Sequence, residues 1–268
     1  MPRVAVVGHV EWVDFIEVER MPREGEVLHA QDSFARAAGG GGVVAAVLVE
    51  LGAEVDFFCA LGDDPHGHAA ADQLRELGIG MHVAWRPTEP TRRAMTLLDG
   101  GGERTIVTVG ERLEPAGADE LEWELLRSAD GVYFTAGDAG ALGHARAARV
   151  LVASPRGRAA LHSAGAGALD ALVYSGRDDD EREWARRLAP HARLIVETRG
   201  ADGGAWWGES DGSWEAARVE RNSRDSYGCG DSFAAGFTFG LASGSTITEA
   251  AATGARCGAR CLTRAGAP

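Results

Sequence analysis

The strongest constraint on the fold is an alternation of two kinds of segment along the 268 residues. Short runs are almost continuously apolar, which is typical of strands that are buried on both faces. Longer runs have a helical pattern, and several end at a glycine, as helices commonly do. The alternation predicts an α/β fold in which helices cover both faces of a mainly parallel sheet. The predicted strands are residues 4–7, 55–60, 131–134, 172–174 and 194–197, and the predicted helices are residues 43–51, 66–77, 142–152, 181–188, 232–241 and 248–262.

Two stretches interrupt this alternation. Residues 11–18, and residues 91–109 around the glycines at 100–102, have the pattern of exposed strands. We expect them to pair antiparallel outside the main sheet as a small β lid, within a single domain that spans residues 1–268. Residues 33–37 are a poor candidate for a strand.

Composition limits the class of protein. Apolar residues make up 45% and charged residues 25% of the chain, which is ordinary for a soluble globular protein. No apolar run reaches the roughly 18 residues of a membrane span, and the chain opens on a strand-like segment, so we expect a cytoplasmic protein. The net charge of −13 argues against nucleic acid or an anionic membrane as the main partner.

The chain contains no lysine, since all 27 of its basic residues are arginine. A Walker A phosphate loop, a protein kinase and Schiff-base chemistry each require a lysine, so all three are excluded. A protein of this composition that handles phosphate must rely on backbone amides, a metal ion and arginine.

The best candidate for a functional site is a glycine-rich turn that runs into a predicted helix. Residues 225–231 have the sequence Asp-Ser-Tyr-Gly-Cys-Gly-Asp. Small residues at 228–230 let backbone N–H groups point outward, and the first helical turn adds unpaired N–H donors and the positive end of the helix dipole. Such a turn favours a phosphate site. Taken alone, Asp231 could simply be an N-terminal helix carboxylate.

Residues 225–231 closely resemble the Asp-Thr-x-Gly-Ala-Gly-Asp signature of the ribokinase-like (PfkB) carbohydrate kinases. The resemblance implies that Gly228, Cys229 and Gly230 form an anion hole for the transferred phosphoryl group, and that Asp231 is the catalytic base. It also implies ATP as the phosphoryl donor and Mg²⁺ as a cofactor.

Three further segments resemble family motifs in the family's order, so that the resemblance covers nearly the whole chain. Residues 38–52 resemble the first glycine signature, which contacts the sugar in relatives, and residues 62–67 resemble the Gly-x-Asp-x-x-Gly segment. Residues 198–204 are similar to the loop that holds the nucleotide phosphates. The implied nucleotide-binding residues are Thr198, Gly200, Gly203, Asn222 and Cys257, and the candidates on the acceptor side are Glu11, Asp14, Gly40, Gly41, Gly42 and Arg104. Asp14 could equally be a solvated strand residue.

Departures from the family pattern affect the metal and the acceptor. Many members carry Asn-x-x-Glu after a central strand, where it organises Mg²⁺, whereas residues 175–178 here are Ser-Gly-Arg-Asp. Asp178 is therefore the candidate on the Mg²⁺ side, although an acidic helix N-terminus without a ligand explains it as well. Val44 stands where the glycine signature carries Asn, which removes one partner for a sugar hydroxyl. Relatives can hold a monovalent cation near the signature, so Asp225 is a candidate for K⁺.

Several short motifs favour other functions less well. Residues 208–212 match the Gly-x-Ser-x-Gly elbow of hydrolases, but the tryptophans on both sides favour an exposed hairpin turn. The Gly-x-Gly at residues 40–42 lacks the preceding strand of a dinucleotide site. His66 and His68 have no further ligand beside them. Cys257 and its neighbour four residues later have the spacing of one buried helix face rather than of a zinc site.

The sequence therefore predicts ATP-dependent phosphorylation of a hydroxymethyl group on a small sugar, with Asp231 as base. A ribose-like free sugar is the first choice of acceptor, and an adenosine-like nucleoside is the second. The alternative from another class is a ribokinase-like protein that binds sugar or regulates without turnover, because two motif residues are missing. Relatives often dimerise through the lid, so we expect a homodimer in which the lids pack together.

Overall fold

A computed structural model describes residues 1–101, 104–163, 165, 167–219, 223–266 and 268. The strands within these residues are β1 Arg3–Val7, β2 Glu11–Glu17, β3 Asp32–Ala38, β4 Glu54–Gly62, β5 Gly80–Arg86, β6 Arg93–Leu98, β7 Arg104–Val109, β8 Gly131–Phe134, β9 Leu151–Ala153, β10 Leu169–Ser175, β11 Ala192–Thr198, β12 Gly204–Gly208 and β13 Gly212–Trp214. The α-helices are α1 Gly39–Glu50, α2 Pro65–Glu76, α3 Ala139–Ala145, α4 Arg158–Leu161, α5 Asp179–Leu188, α6 Cys229–Ala242 and α7 Ile247–Cys261. Short 3₁₀ turns lie at Trp123–Ser128, Pro155–Gly157, Ala189–His191 and Gly200–Asp202.

The main sheet has nine strands in the order β13-β12-β11-β10-β9-β8-β1-β4-β5. Every neighbouring pair from β11 to β5 is parallel, and β12 is antiparallel to both β11 and β13. Helices α1, α2, α6 and α7 supply core residues on one face, and α3, α4 and α5 supply them on the other. In β1, Val4 and Val6 belong to the first core, whereas Ala5 and Val7 belong to the second. Two-sided burial therefore explains the continuously apolar strands.

The carboxyl ends of the parallel strands lie along one edge of the main sheet. Ser154 directly follows β9, Ser175 ends β10 and Thr198 ends β11, while His9 lies two residues beyond β1. Ligands of open α/β sheets bind at this edge, and the candidate site is found there.

The smaller sheet has four strands in the order β3-β2-β6-β7 and lies outside the main sheet. The β2–β3 and β6–β7 pairs are antiparallel, and the β2–β6 pair is parallel. Phe15 of β2 stacks on Phe34 of β3 at 4.9 Å between ring centroids and meets the edge of the Tyr227 ring at 5.0 Å. These contacts join one end of the smaller sheet to the glycine-rich turn. At its other end, all six residues of β7 are exposed.

The predicted architecture, a mainly parallel sheet between helices with a smaller sheet beside it, is confirmed. Residues 208–212 form the turn between β12 and β13, which also confirms the predicted hairpin. In the described part of the chain, no helix is both long and apolar enough to cross a lipid bilayer.

Two predictions of secondary structure are wrong, and one strand was not predicted. The antiparallel pairing expected between residues 11–18 and 91–109 is also wrong where they meet, because β2 and β6 run parallel. Residues 33–37 belong to β3, which pairs with β2 along its whole length although most of its side chains are not buried. Residues 142–152, predicted as one helix, contain the end of α3 and most of β9, because residues 151–153 pair with both β8 and β10. Strand β5 has no predicted counterpart, because this edge strand has only Ala84 fully buried and therefore no apolar run.

Candidate active site

A buried aspartate fixes the glycine-rich turn of residues 225–231 to its surroundings. The Asp225 carboxylate accepts the N–H groups of Tyr227 and Gly266, each at 2.7 Å. The Tyr227 hydroxyl in turn accepts the N–H of Gly39 at 3.1 Å, at the start of α1. The two glycine-rich segments of the predicted site are therefore held against each other.

The same turn supplies backbone donors at the start of α6. Gly228 has a φ of +73°, a left-handed conformation that glycine adopts without strain. N–H groups in the first turn lack acceptors within the helix, and the N–H of Cys229 makes only a long bond of 3.4 Å to the Ser226 carbonyl. A Cβ on Gly230 would meet no atom within 4 Å, so its backbone lies beside open space. Ser232, by contrast, already donates its N–H to the Gly228 carbonyl at 2.8 Å.

Asp231 lies where two cavities adjoin, and its carboxylate binds an arginine that no motif indicated. Arg156 Nη1 lies 3.0 Å from Asp231 Oδ1 and 3.3 Å from Oδ2. The negative charge of Asp231, against the opposing effect of burial, raises the pKa of Arg156 above its ordinary value, and Glu181 adds to this. The guanidinium therefore stays charged. Sequence patterns could not reveal this contact, because the two residues are 75 positions apart and meet only in the folded chain.

Glu181 holds the other side of Arg156. Its Oε1 accepts the Arg156 Nε–H at 3.2 Å, and its Oε2 accepts the Ser175 N–H at 2.9 Å. Asp178 caps α5 by accepting the Glu181 N–H at 3.0 Å. Asp178 and Glu181 also have the spacing of Asn-x-x-Glu, with Asp in place of Asn, which offers a second position for this motif beside the predicted one at residues 175–178. The sequence could have indicated Glu181, because Asp178 and Glu181 are separated by the three positions of this motif.

One of the two cavities, of about 470 Å³, lies at the carboxyl ends of β9, β10 and β11. Its walls include Ser154, Ser175, Asp178 and Thr198, and it extends to Gly230 and Asp231. The Thr198 hydroxyl donates to the Tyr174 carbonyl at 3.2 Å. This cavity therefore joins Thr198 of the predicted nucleotide loop to Gly230 of the predicted anion hole, whereas Gly200 and Gly203 do not line it.

The loop after β11 requires glycine at two predicted positions. Gly200 and Gly203 have φ values of +62° and +72°. A Cβ on Gly203 would lie 2.1 Å from the Trp214 carbonyl oxygen, so a side chain there would force the loop away from β13.

The second cavity, of about 320 Å³, lies between the smaller sheet and the glycine-rich turn. His9 Nε2 lies 3.3 Å from Glu11 Oε1 and 3.4 Å from the Gly40 nitrogen. Burial lowers the pKa of His9. Burial alone would raise the pKa of Glu11, but the hydrogen bond with His9 and the charges of Arg92 and Arg112 lower it below its ordinary value. Glu11 is therefore an anion inside this cavity.

Four arginines line the second cavity, namely Arg92, Arg104, Arg112 and Arg156. Arg104 alone was predicted, and it donates from β7 to the Ser226 hydroxyl. Arg112 pairs with Glu114 and donates to the Arg156 carbonyl at 3.1 Å. Arg92 precedes β6, and its Nε lies 3.8 Å from Glu11 Oε1.

Gly40 brings the start of α1 close to the candidate base. A Cβ on this glycine would lie 3.1 Å from Arg156 Nη1 and 3.3 Å from Asp231 Oδ1, so a larger side chain would disturb that ion pair. Gly41 and Gly42 are buried behind it, and a Cβ on Gly41 would lie 2.6 Å from the His9 carbonyl oxygen. Of the three predicted glycines, Gly40 is thus the one in the cavity wall.

Comparison with known proteins agrees with this arrangement. A family model described as pfkB family carbohydrate kinase matches residues 1–153 and 165–268. The chain belongs to this pfkB family.

Individual pfkB relatives are similar over different lengths. The ATP-dependent ribose-1-phosphate kinase of Halopiger xanaduensis is 29% identical over 301 residues, which cover 100% of this chain and 94% of that protein. The ribokinase of Arabidopsis thaliana is 33% identical over 132 residues, so the alignment spans 48% of this chain and only 33% of that protein. The structure of Arabidopsis thaliana ribokinase complexed with ribose and ATP has a TM-score of 0.77 and 21% identity, and the match covers 99% of this chain and 94% of that one. The structural likeness supports the ribokinase-like fold.

Some residues predicted from the pfkB resemblance lie away from the two cavities. Asp14 lies three residues after Glu11 in β2, so the two side chains are on opposite faces of the strand. Asp14 pairs with Arg93 at 2.9 Å. Cys257 packs from α7 against α6, where a Cβ on Gly236 would lie 2.8 Å from its sulfur. The contacts of both residues are accounted for within the fold, and neither lines the cavities around Asp231. Asn222 lies outside the described residues.

Among the described residues, no group of three or more His, Cys, Asp or Glu side chains is arranged to hold a metal ion. His68 bonds to Asp63 at 2.8 Å, and His66 stacks on Trp12.

Proposed function

We propose that the protein transfers the γ-phosphoryl group of ATP to a hydroxymethyl oxygen of a small sugar. The observation that carries this proposal is the position of Asp231, which lies at the start of α6 where the two cavities adjoin. One cavity contains the predicted nucleotide loop residue Thr198, and the other contains Glu11 and Gly40. A base at this junction can reach both reactants.

The reaction follows from charge and proton balance. Asp231 takes the proton of the hydroxymethyl group as its oxygen bonds to the γ-phosphorus. The bond from that phosphorus to the bridging oxygen breaks, and ADP leaves with the electron pair. N–H groups of Gly228, Cys229 and Gly230 face the negative charge on the transferred group. Arg156, which contacts both Asp231 oxygens, orients the base.

Carboxylates on the nucleotide side fit a hydrated Mg²⁺ ion. Asp178 and Glu181 both line the larger cavity, and Mg²⁺ binds through one or two carboxylates while keeping several waters. Each carboxylate accepts bonds within the protein, but an ionised carboxylate has capacity for more. Bound there, the ion would neutralise charge on the β- and γ-phosphates.

A K⁺ site beside Asp225 is also part of the proposal. Both of its oxygens accept backbone N–H bonds, so it would act on a cation mainly by its charge. Titration of the activity with K⁺ against Na⁺ at constant ionic strength tests this role.

The names of relatives support ATP as donor and a pentose as acceptor. One matched structure is a ribokinase with ribose and ATP, and another relative is named an ATP-dependent ribose-1-phosphate kinase. A nucleoside remains the second candidate, because adenosine presents the same hydroxymethyl group.

The smaller sheet is proposed to close over the acceptor and to form a homodimer. Ile106 and Thr108 of β7 line the acceptor cavity, and strand alternation places Val107 and Val109 on the opposite face. Val107, Val109 and Met95 are exposed large apolar residues, and Met95 pairs with Val107 in the β6–β7 register. Such a face is a candidate for contact with a second copy.

An acceptor screen tests the proposed function. ADP release is measured with ATP and Mg²⁺ in the presence and absence of D-ribose, adenosine and α-D-ribose 1-phosphate. Acceptor-dependent ADP release is expected, and ³¹P NMR of the product should place the new ester on the hydroxymethyl oxygen. Binding of an acceptor without any ADP release would instead support the non-catalytic alternative.

A further inference from the structure

We propose that Cys229 and Cys261 are a modification site, where a peroxide oxidises the two thiols to a reversible disulfide that disables the anion hole. Formation of the disulfide does not depend on the reaction that the protein catalyses, whereas its effect on activity rests on the proposed function. Three features of the structure support the site: the packing of α6 against α7, the contacts of the two thiols, and the place of Cys229 in the glycine-rich turn.

Helices α6 and α7 pack antiparallel, with their backbones in close contact. A Cβ on Gly240 would lie 2.7 Å from the Ala250 Cα, and a Cβ on Gly236 would lie 2.9 Å from the Gly254 Cα. A step of four residues back along α6 is thus matched by a step of four residues forward along α7. This register places the start of α6 against the end of α7.

The same register brings Cys229 and Cys261 together, because each lies seven residues beyond the second of these contacts. A Cβ on Gly258 of α7 would lie 3.3 Å from the Cys229 carbonyl oxygen, so the helices are also close at this point. Cys261 Sγ lies 3.1 Å from the carbonyl oxygen of Tyr227, two residues before Cys229. The two cysteine side chains are hydrogen-bonded to each other, and both are free thiols. The fold therefore holds two thiols side by side.

The other two cysteines are poorer targets for oxidation. Burial raises the pKa of Cys59 to about 12 and the pKa of Cys257 to about 11, so both thiols stay protonated. The hydrogen bond with Cys229, against the effect of burial, lowers the pKa of Cys261 below its ordinary value. Because the thiolate is the nucleophile, Cys261 is the cysteine that attacks the oxidant.

A small cavity beside α1, α6 and α7 can admit the oxidant to Cys261. Its volume is about 20 Å³, which is room for a water-sized molecule, and its walls include Cys261, Ser232 and Val47. Hydrogen peroxide is larger than water by only one oxygen atom. Cys229 lines the second cavity, beside Gly228 and Gly230.

The oxidation consumes one hydrogen peroxide for each disulfide. The Cys261 sulfur attacks one peroxide oxygen, the O–O bond breaks, and the released hydroxide takes up the former Cys261 thiol proton as water. The Cys229 sulfur then attacks the sulfenic sulfur, so that the S–S bond forms as the S–O bond breaks. The hydroxide that leaves takes the Cys229 proton as a second water. Two thiols are oxidised, and a dithiol reverses the reaction by exchange.

Closing the disulfide must displace the start of α6. The bond is about 2.05 Å long, which is shorter than the separation of two hydrogen-bonded sulfurs. The N–H groups of Cys229 and Gly230, the proposed donors to the transferred phosphoryl group, belong to the segment that moves. A displacement of about 1 Å can reduce a rate about 10²-fold, so the oxidised protein should have a lower kcat.

The experiment treats the reduced protein with hydrogen peroxide and then alkylates the remaining thiols in denaturant. Mass spectrometry of the unreduced peptides should find Cys229 linked to Cys261, with Cys59 and Cys257 alkylated. Acceptor-dependent ADP release should fall by about 10- to 100-fold and return after treatment with dithiothreitol. Sulfinic acid at either residue without any linked peptide would overturn the disulfide.

Two serine variants test whether the linked pair causes the loss. Cys261→Ser keeps a donor toward the Tyr227 carbonyl but cannot form the disulfide, so its activity should resist peroxide. Cys257→Ser is the matched control on the same helix, because it retains the pair and should be oxidised and inactivated like the wild type. Each variant is compared with its own untreated sample. Equal inactivation of Cys261→Ser and wild type would overturn the switch.

Peptide mapping and ADP release separate this proposal from the proposed function. Linked peptides in a protein that releases no ADP with any acceptor would support the modification site and reject only the kinase reaction. Linked peptides with an unchanged kcat would overturn the effect on the anion hole. An active kinase that forms no link with peroxide would overturn the modification site and leave the proposed function standing.

Discussion

The two sides of the second cavity, the proposed acceptor cavity, are built in different ways. We call residues 225–231, the start of α6, Gly40 and the turn Pro155–Gly157 the floor, and we call β6 and β7 with Arg92, Arg104 and Arg112 the roof. The floor is tied together by backbone hydrogen bonds to buried groups, and Asp225 within it is 1% exposed. In the roof, every residue of β7 is exposed, and its polar contacts are made by long arginine side chains.

This contrast separates two tasks. Phosphoryl transfer needs donors and a base held in fixed positions, which a buried floor provides. Selection of the acceptor needs groups that close over the ligand when it binds and move away when it is released. An exposed sheet can make such a movement. Changes in the floor should therefore act on kcat, whereas changes in the roof should act on acceptor KM or on assembly.

The largest expected effect comes from the floor, in Asp231→Asn. The amide keeps the shape of the carboxylate but cannot take the proton, so kcat should fall by about 10²–10⁴-fold while ATP affinity is retained. Steady-state kinetics and nucleotide binding check this pair of results. Retention of more than about a tenth of wild-type kcat would show that another group is the base.

The second prediction for the floor is a fall in kcat in Arg156→Met. Removing the guanidinium leaves Asp231 and Glu181 without the cation that holds both, so the base loses its orientation. We expect kcat to fall roughly 10- to 100-fold, since small misplacements of a reacting group have effects of that size. KM for the acceptor should change less than kcat.

Arg158→Met is the matched control for that experiment. Arg158 is close to Arg156 in the chain and pairs with Asp180, and both side chains are well exposed. The substitution should therefore change kcat very little. Equal losses of kcat in the two variants would mean that Arg156 serves only the local fold.

The floor was more accessible to prediction than the roof, for physical reasons. Gly228 and Asp231 belong to one continuous segment, whose turn and helix start are encoded by neighbouring residues. Arg92 and Arg112 of the roof come from separate loops, and only the pairing of strands and the packing of the sheets bring them together. Arg156 of the floor was missed for the same reason, because it lies 75 residues from Asp231 in the chain. Most strands with two-sided burial were equally predictable, although the three-residue strand β9 was predicted as part of a helix. Strands β3 and β5 were missed because pairing rather than apolar content defines them.

Two adjacent residues of β7 test whether the roof has two functions. Ile106→Asp places a charge in the acceptor cavity and should raise acceptor KM by about tenfold, in line with the cost of a charge at an apolar contact. Val107→Asp alters the opposite face and should weaken self-association, measured by sedimentation, with little change in KM. ATP affinity should remain constant in both. A wild-type chain that stays monomeric at high concentration would contradict the proposed dimer, and equal KM values in the two variants would contradict the covering role of the roof.

The burial of His9, which lies 3.4 Å from the Gly40 nitrogen of the floor, should affect the pH dependence of stability, as the smallest of the four effects. Burial lowers the pKa of His9 from its ordinary value of 6.5. As the pH falls below that value, the unfolded chain binds a proton at His9 that the folded chain does not, so the free energy of unfolding decreases. One proton accounts for a slope of at most about 1.4 kcal/mol per pH unit. The lowered pKa of Glu11 acts in the same direction, but its contribution is lost only as the pH falls below the ordinary value of 4.5. Denaturant unfolding between about pH 7 and pH 5 therefore isolates His9. His9→Gln should flatten the slope, and His29→Gln at an exposed position should not. Identical slopes in wild type and His9→Gln would mean that water reaches the His9 side chain.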